Sequence, residues 1–163
     1  MRRNVIVCAI MALSVIPLQY SIAAPSLAGC SQKVNKGALA AIVGQSKALG
    51  RKDFGSAFAY ATSDFRKNSS VAAFTQVINM GFPYLLTASN IELTDCQKMN
   101  QFYYYQVSLK SQGATFSLTY VLAPQSKTQS LKSNKTGFGI VAAMRNQAEI
   151  EGSPLDGTAA TFS

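Results

Sequence analysis

Histidine is absent from this chain, and so is tryptophan. Without histidine there is no serine–histidine or cysteine–histidine catalysis, and the commonest zinc ligand is missing. Cysteine is scarce: Cys8, Cys30 and Cys96 are all there are, too few for a thiolate metal site. No glycine-rich phosphate loop, dinucleotide fingerprint or calcium loop occurs. Acidic residues number only seven against fifteen basic ones, yet no run reaches five or six like charges, so no charged interaction tail is present. No metal and no cofactor are therefore expected.

What is present begins with an export address. Arg2 and Arg3 precede an apolar run over residues 5–18, broken only by Ser14 and Pro17, and Ser21-Ile22-Ala23 offers small residues at a cleavage site. The run is too short for a permanent membrane span and reads as a signal peptide over residues 1–23. The expected location is outside the cytoplasm, periplasmic or extracellular. Removing this leader leaves 13 basic and 7 acidic residues, scattered along the chain. Scattered positive charge reads as a solvated surface; it forms no stripe for nucleic acid, and the compartment argues against that partner as well.

Cys30 has two readings. Leu27-Ala28-Gly29-Cys30 matches the lipobox of bacterial lipoproteins, which would make residues 1–29 the leader and Cys30 the site of a lipid anchor, the only route to a membrane. Ordinary cleavage after Ala23 leaves Cys30 and Cys96 as the one pair able to form a disulfide.

Beyond the leader, Leu39, Ile42, Val43 and Leu49 recur at helical spacing over residues 35–49, with Gly50 as a stop. Asp53 is placed to cap a second helix over 54–61, Ser63 or Asp64 to start another turn, and Ser70 to cap a helix over 71–80 with Phe74, Val77 and Ile78 on one face. Pro83 then forces extended or turning chain. From residue 89 the period becomes two: strands are expected over 89–97, 101–111, 116–122 and 138–144, with Ser111-Gln112-Gly113-Ala114 as a hairpin turn and 125–136 as a polar loop. Helices first and an antiparallel sheet afterwards means an α+β fold in which N-terminal helices pack on a curved sheet. The domain spans 34–146, and 147–163 reads as a flexible C-terminal tail.

The stretch 45–84, through Gln45, Ala48, Asp53, Ala57-Phe58-Ala59-Tyr60-Ala61, Phe74, Met80-Gly81 and Pro83-Tyr84, resembles the bacterial family known as domain of unknown function 4864, and the element order over 34–145 is similar to the nuclear transport factor 2-like (cystatin-like) superfamily. That resemblance implies a cone: a curved antiparallel sheet wrapped round the first helix. Cone-fold enzymes place a carboxylate, often with tyrosine, inside the open end.

Among the carboxylates here, Asp95 shares the strand parity of Ile91 and Leu93 and could point inward; the plainer account leaves it beside solvent at the strand end. Tyr103 and Tyr105 face one side of their strand and Phe102 and Tyr104 the other, and Phe82 to Leu86 could form a lip carrying Tyr84. Tyr84, Asp95, Tyr103 and Tyr105 are thus the candidate ligand-binding residues, each with a purely structural alternative, and no catalytic set is assigned. The expectation is a non-enzymatic binding module for a small apolar ligand or an envelope protein. Its rivals are a cone-fold enzyme using Asp95 with a tyrosine, and a homodimeric structural module.

Overall fold

A computed structural model of the chain describes residues 29–146. The expected leader and the expected C-terminal tail lie outside the described residues. Helix α1 spans Gln32–Gly50, starting three residues earlier than its apolar pattern because Ser31 caps it, accepting from the Val34 N–H. Its buried stripe is Ala38, Ala41, Ile42, Gln45, Ala48 and Leu49, a spacing of three and four. Of the four residues that carry the helical spacing, Ile42 and Leu49 are in this stripe, while Leu39 and Val43 are half-buried flanks. Alanine on the inward stripe lets the helix axis approach the sheet closely.

Asp53 caps α2, Phe54–Phe58, through a 3.0 Å bond from the Ser56 N–H. That bond, with a further one from the Ser56 side chain, holds the Asp53 carboxyl below the usual carboxylate range. The expected helix to residue 61 stops at 58. Chain beyond it turns to the sheet: Ile140 N–H donates to the Tyr60 carbonyl at 2.8 Å and Thr62 N–H to the Ile140 carbonyl at 3.0 Å. Thr62 caps α3, Ser63–Asn68, and Ser70 caps α4, Val71–Gly81. A 3-10 turn, Pro83–Thr87, leads into the sheet.

Strands β1 (Ser89–Met99), β2 (Phe102–Ser111), β3 (Ala114–Pro124) and β4 (Phe138–Arg145) pair in chain order as one antiparallel meander. Gln112 and Gly113, both at positive φ, form the two-residue turn between β2 and β3, the geometry whose twist matches a hairpin. Val107, Leu109, Leu118, Leu122 and Ile140 line the inner face and bury against α1 and the 3-10 turn. Irregular pairing after Leu93 and between Val121 and Leu122 bends the sheet toward the helices. Cys30 and Cys96 form a disulfide, tying the segment ahead of α1 to β1. No helix among the described residues is long and apolar enough to cross a membrane.

Candidate functional site

The four candidate side chains do not share a cavity. Asp95 departs from its expected parity because β1 carries an extra residue at Thr94: Leu93 pairs with Val107, but Asp95 pairs with Gln106 and Cys96 with Tyr105. One inserted residue moves everything after it to the opposite face. Cys96 takes the buried inward place and Asp95 turns to the outer face, where Gln97 Nε2 donates to its Oδ2 at 3.5 Å. Of the two readings of Asp95, the inward one is thus overturned by the bulge, and the side chain stands on the outer face as in the plainer one.

Tyr103 and Tyr105 share one side of β2, as their alternation predicts, and the structure turns that side inward. Tyr105 is fully buried, its hydroxyl donating to Asn35 Oδ1 of α1 at 2.9 Å. Tyr103 lies further along β2, edge-on to Phe138 at 5.7 Å with the Lys98 ammonium over its ring. Tyr84 sits toward the other end, stacked on Phe116 at 4.2 Å with the Arg145 guanidinium over its ring. Its hydroxyl is buried and has no partner among the described residues. These are packing roles, spread along the length of the sheet.

The inward tyrosines carry a pH signature. Burial, with Tyr103 beside it, pushes the Tyr105 phenol up to about 12, and burial beside Tyr84 raises the Tyr120 phenol as well. Unfolded, both ionise near 10. Above that pH the unfolded chain releases protons that the folded chain keeps, so their contribution, complete below about pH 10, drains away as pH climbs toward 12. Thermal melts from pH 8 to 11.5 are expected to show Tm falling steeply only beyond about pH 10, with Tyr120→Phe flattening the fall. An unchanged slope in that variant would refute the assignment.

The enclosed apolar space lies elsewhere, between α4 and the β4 edge. A groove of about 230 Å³ is walled by Phe65 of α3, by Phe74, Val77 and Ile78 of α4, by Phe82 and Leu85, and by Ile140–Ala143 of β4. Ser70 sets the start of α4, and hence which of its residues face the groove: Phe74 and Ile78 are buried, while Val77, expected on the same buried face, stands 55% exposed at the rim. Gln45 also lines the groove. Its side chain is 95% buried in the alanine stripe of α1, and Nε2 donates to the Ala57 carbonyl at 3.4 Å. The arrangement offers an apolar slot with one buried amide, able to hold a hydrocarbon or ring and to orient a single polar group. Sequence reasoning missed it. The available signal was Gln45 itself, a polar residue at the helical spacing of Ala38, Ala41 and Ile42.

Comparison with known proteins gives one match. The family model described as domain of unknown function (DUF4864) matches residues 32–131, more than half of the chain. That span takes in α1 through β3 and stops before β4, so one wall of the groove lies outside it. No curated protein and no solved structure matches the chain.

Proposed function

From a chain that belongs to the DUF4864 family, whose description carries no chemistry, we propose a non-enzymatic, exported binding module that holds a small apolar ligand in the groove between α4 and β4. The observation that carries this reading is the groove itself: walls of phenylalanine, valine and isoleucine, with the buried Gln45 amide as its polar group. At about 230 Å³ it is smaller than the roughly 300 Å³ at which drug-sized sites begin, which suits a short acyl chain or a single ring.

Export is supported by the leader-like first 23 residues and by the Cys30–Cys96 bridge, which persists in oxidising compartments. Acylation of Cys30 would require the same sulfur that the bridge uses, and this favours a secreted form over a lipid-anchored one. Asp95 gives the enzyme reading little support. It stands on the opposite edge strand from the groove, three strand spacings or about 14 Å across the sheet, and on the other face.

The test is calorimetric titration with toluene, a single apolar ring of the size the groove holds. The wild-type chain is expected to bind it, and Val77→Asp, which places a carboxylate at the exposed rim, to weaken binding by about tenfold or more with little change in Tm. Asp95→Asn is expected to leave binding intact. Equal binding by wild type and Val77→Asp would move the ligand out of this groove, and dependence on Asp95 would revive the rival.

A further inference from the structure

We propose a second binding site on this molecule, bordering the apolar groove at Phe65 and Val141: the open cleft between α3, the loop after β3 and the outer side of β2 and β3, taking a neutral, hydroxyl-rich ligand of the saccharide class. The cleft has a volume of about 850 Å³. Its lining is more polar than the groove's: the amides of Asn68, Gln101, Gln125 and Gln129 stand alongside Phe102 and Phe65, the last of which borders both spaces. Asn68 Nδ2 already donates to the Asp64 carbonyl, and Gln129 Oε1 accepts from Ser126. Amides offer a donor and an acceptor on one rigid plane, the pairing that a hydroxyl can satisfy from both sides. Aromatic faces next to them suit the apolar C–H face of a sugar ring.

Charge narrows the class. The described residues carry thirteen basic side chains, yet none lines this cleft, while Asp64 does. The nearest guanidinium, that of Arg66, is already committed: Nη1 donates to the carbonyls of Ala59 and Ala61, and Nη2 to the Gln129 carbonyl at 2.6 Å. An anionic ligand would find no free cation in the lining. Arg66 instead staples the loop to α3 and holds the two walls at a fixed separation.

One wall of the cleft is built by Gln125. Its amide packs against Gly139, where a Cβ would sit 2.5 Å from Gln125 Cδ. Glycine at 139 is thus what permits the amide to occupy the wall.

Calorimetric titration of the purified chain with neutral tetrasaccharides of glucose and of N-acetylglucosamine tests this, with tetragalacturonate and a neutral tetrapeptide as competitors in class. At least one neutral saccharide is expected to bind with a Kd of about 1 mM or tighter. Phe102→Ala and Gln125→Leu should each weaken it about tenfold or more, and Val77→Asp should leave it unchanged. Should either variant fail to fold, Gln101→Ala in the exposed β1–β2 turn is expected to show the same loss. Absence of binding by both neutral saccharides overturns the proposal, as does tighter binding of the uronate or the peptide, or retention of affinity in the cleft variants. Phe65 and Val141 border both sites, but Phe102, Gln125 and Gln101 line only the cleft and Val77 only the groove, so the two tests read separately.

Discussion

Replacing Cys30 and Cys96 together by alanine is expected to cost about 4 kcal/mol of stability, the largest effect of any change discussed. The bridge spans 66 residues, so in the unfolded chain it closes a loop containing all four α-helices and the 3-10 turn. Closing so long a loop removes much of the entropy the denatured chain would otherwise gain. Cys96 is also buried in the inward row of β1, and its truncation leaves a small void beside Tyr105. At about 4 °C per kcal/mol for a domain of this size, Tm should fall by roughly 15 °C. Calorimetry of the double variant, beside the wild type with and without reductant, checks this. Reduced wild type and double variant should melt together, and a loss under about 1 kcal/mol would mean that the bridge constrains little.

Asn134→Ala is expected to cost about 3 kcal/mol. The residue sits in a loop of Ser, Thr, Lys and Gln that shows no apolar pattern, yet it is 1% exposed. Its Nδ2 donates to the Phe138 carbonyl at 2.8 Å, and its Oδ1 accepts from the Thr136 N–H at 3.2 Å and the Thr136 hydroxyl at 2.7 Å. Alanine removes all three bonds and leaves buried partners short of theirs, which costs more than the bonds contribute net. Asn134→Asp keeps the acceptor and loses the donor, so an intermediate loss is expected. Urea unfolding gives both values, and amide exchange at Phe138 and Gly139 should rise in parallel as the start of β4 loosens. A loss under about 1 kcal/mol for the alanine variant would mean that the loop re-forms its bonds elsewhere.

The helix-to-strand change was legible in the chain because it rests on periodicity alone, and every element after Pro83 lies where alternation places it. The disulfide was one of two readings of Cys30, the other being a lipid anchor, and the pairing with Cys96 came from the structure. Harder to read was which face turns inward. On α1 the spacing of Leu39, Ile42, Val43 and Leu49 suggested one stripe; Ile42 and Leu49 are buried in it, while close approach to the sheet selected Ala38 and Ala41 over Leu39 and Val43. In β1 the alternation of Ile91 and Leu93 was correct, but the extra residue at Thr94 reversed it for Asp95, and a bulge is a property of strand pairing that no single strand reveals. The groove was invisible for a related reason: it lies between residues 74 and 143, joined only once Tyr60–Thr62 has docked on Ile140. Phe74 and Ile78 were recognisable as core residues, but not that Val77 between them would stand at a rim.

The meander order of the sheet has a consequence for biosynthesis. Each strand finds its partner in the next segment of chain, so the sheet can assemble by successive hairpins as it emerges. The helices come before it, and α2 and the 3-10 turn cover only part of the inward stripe of α1; the rest stays open until Val107, Leu118 and Ile140 have docked. A chain lacking β3 and β4 would leave that part exposed, an attractive substrate for a holdase or a protease. Productive folding of this molecule consequently needs the last third of its chain, and the first half waits on it.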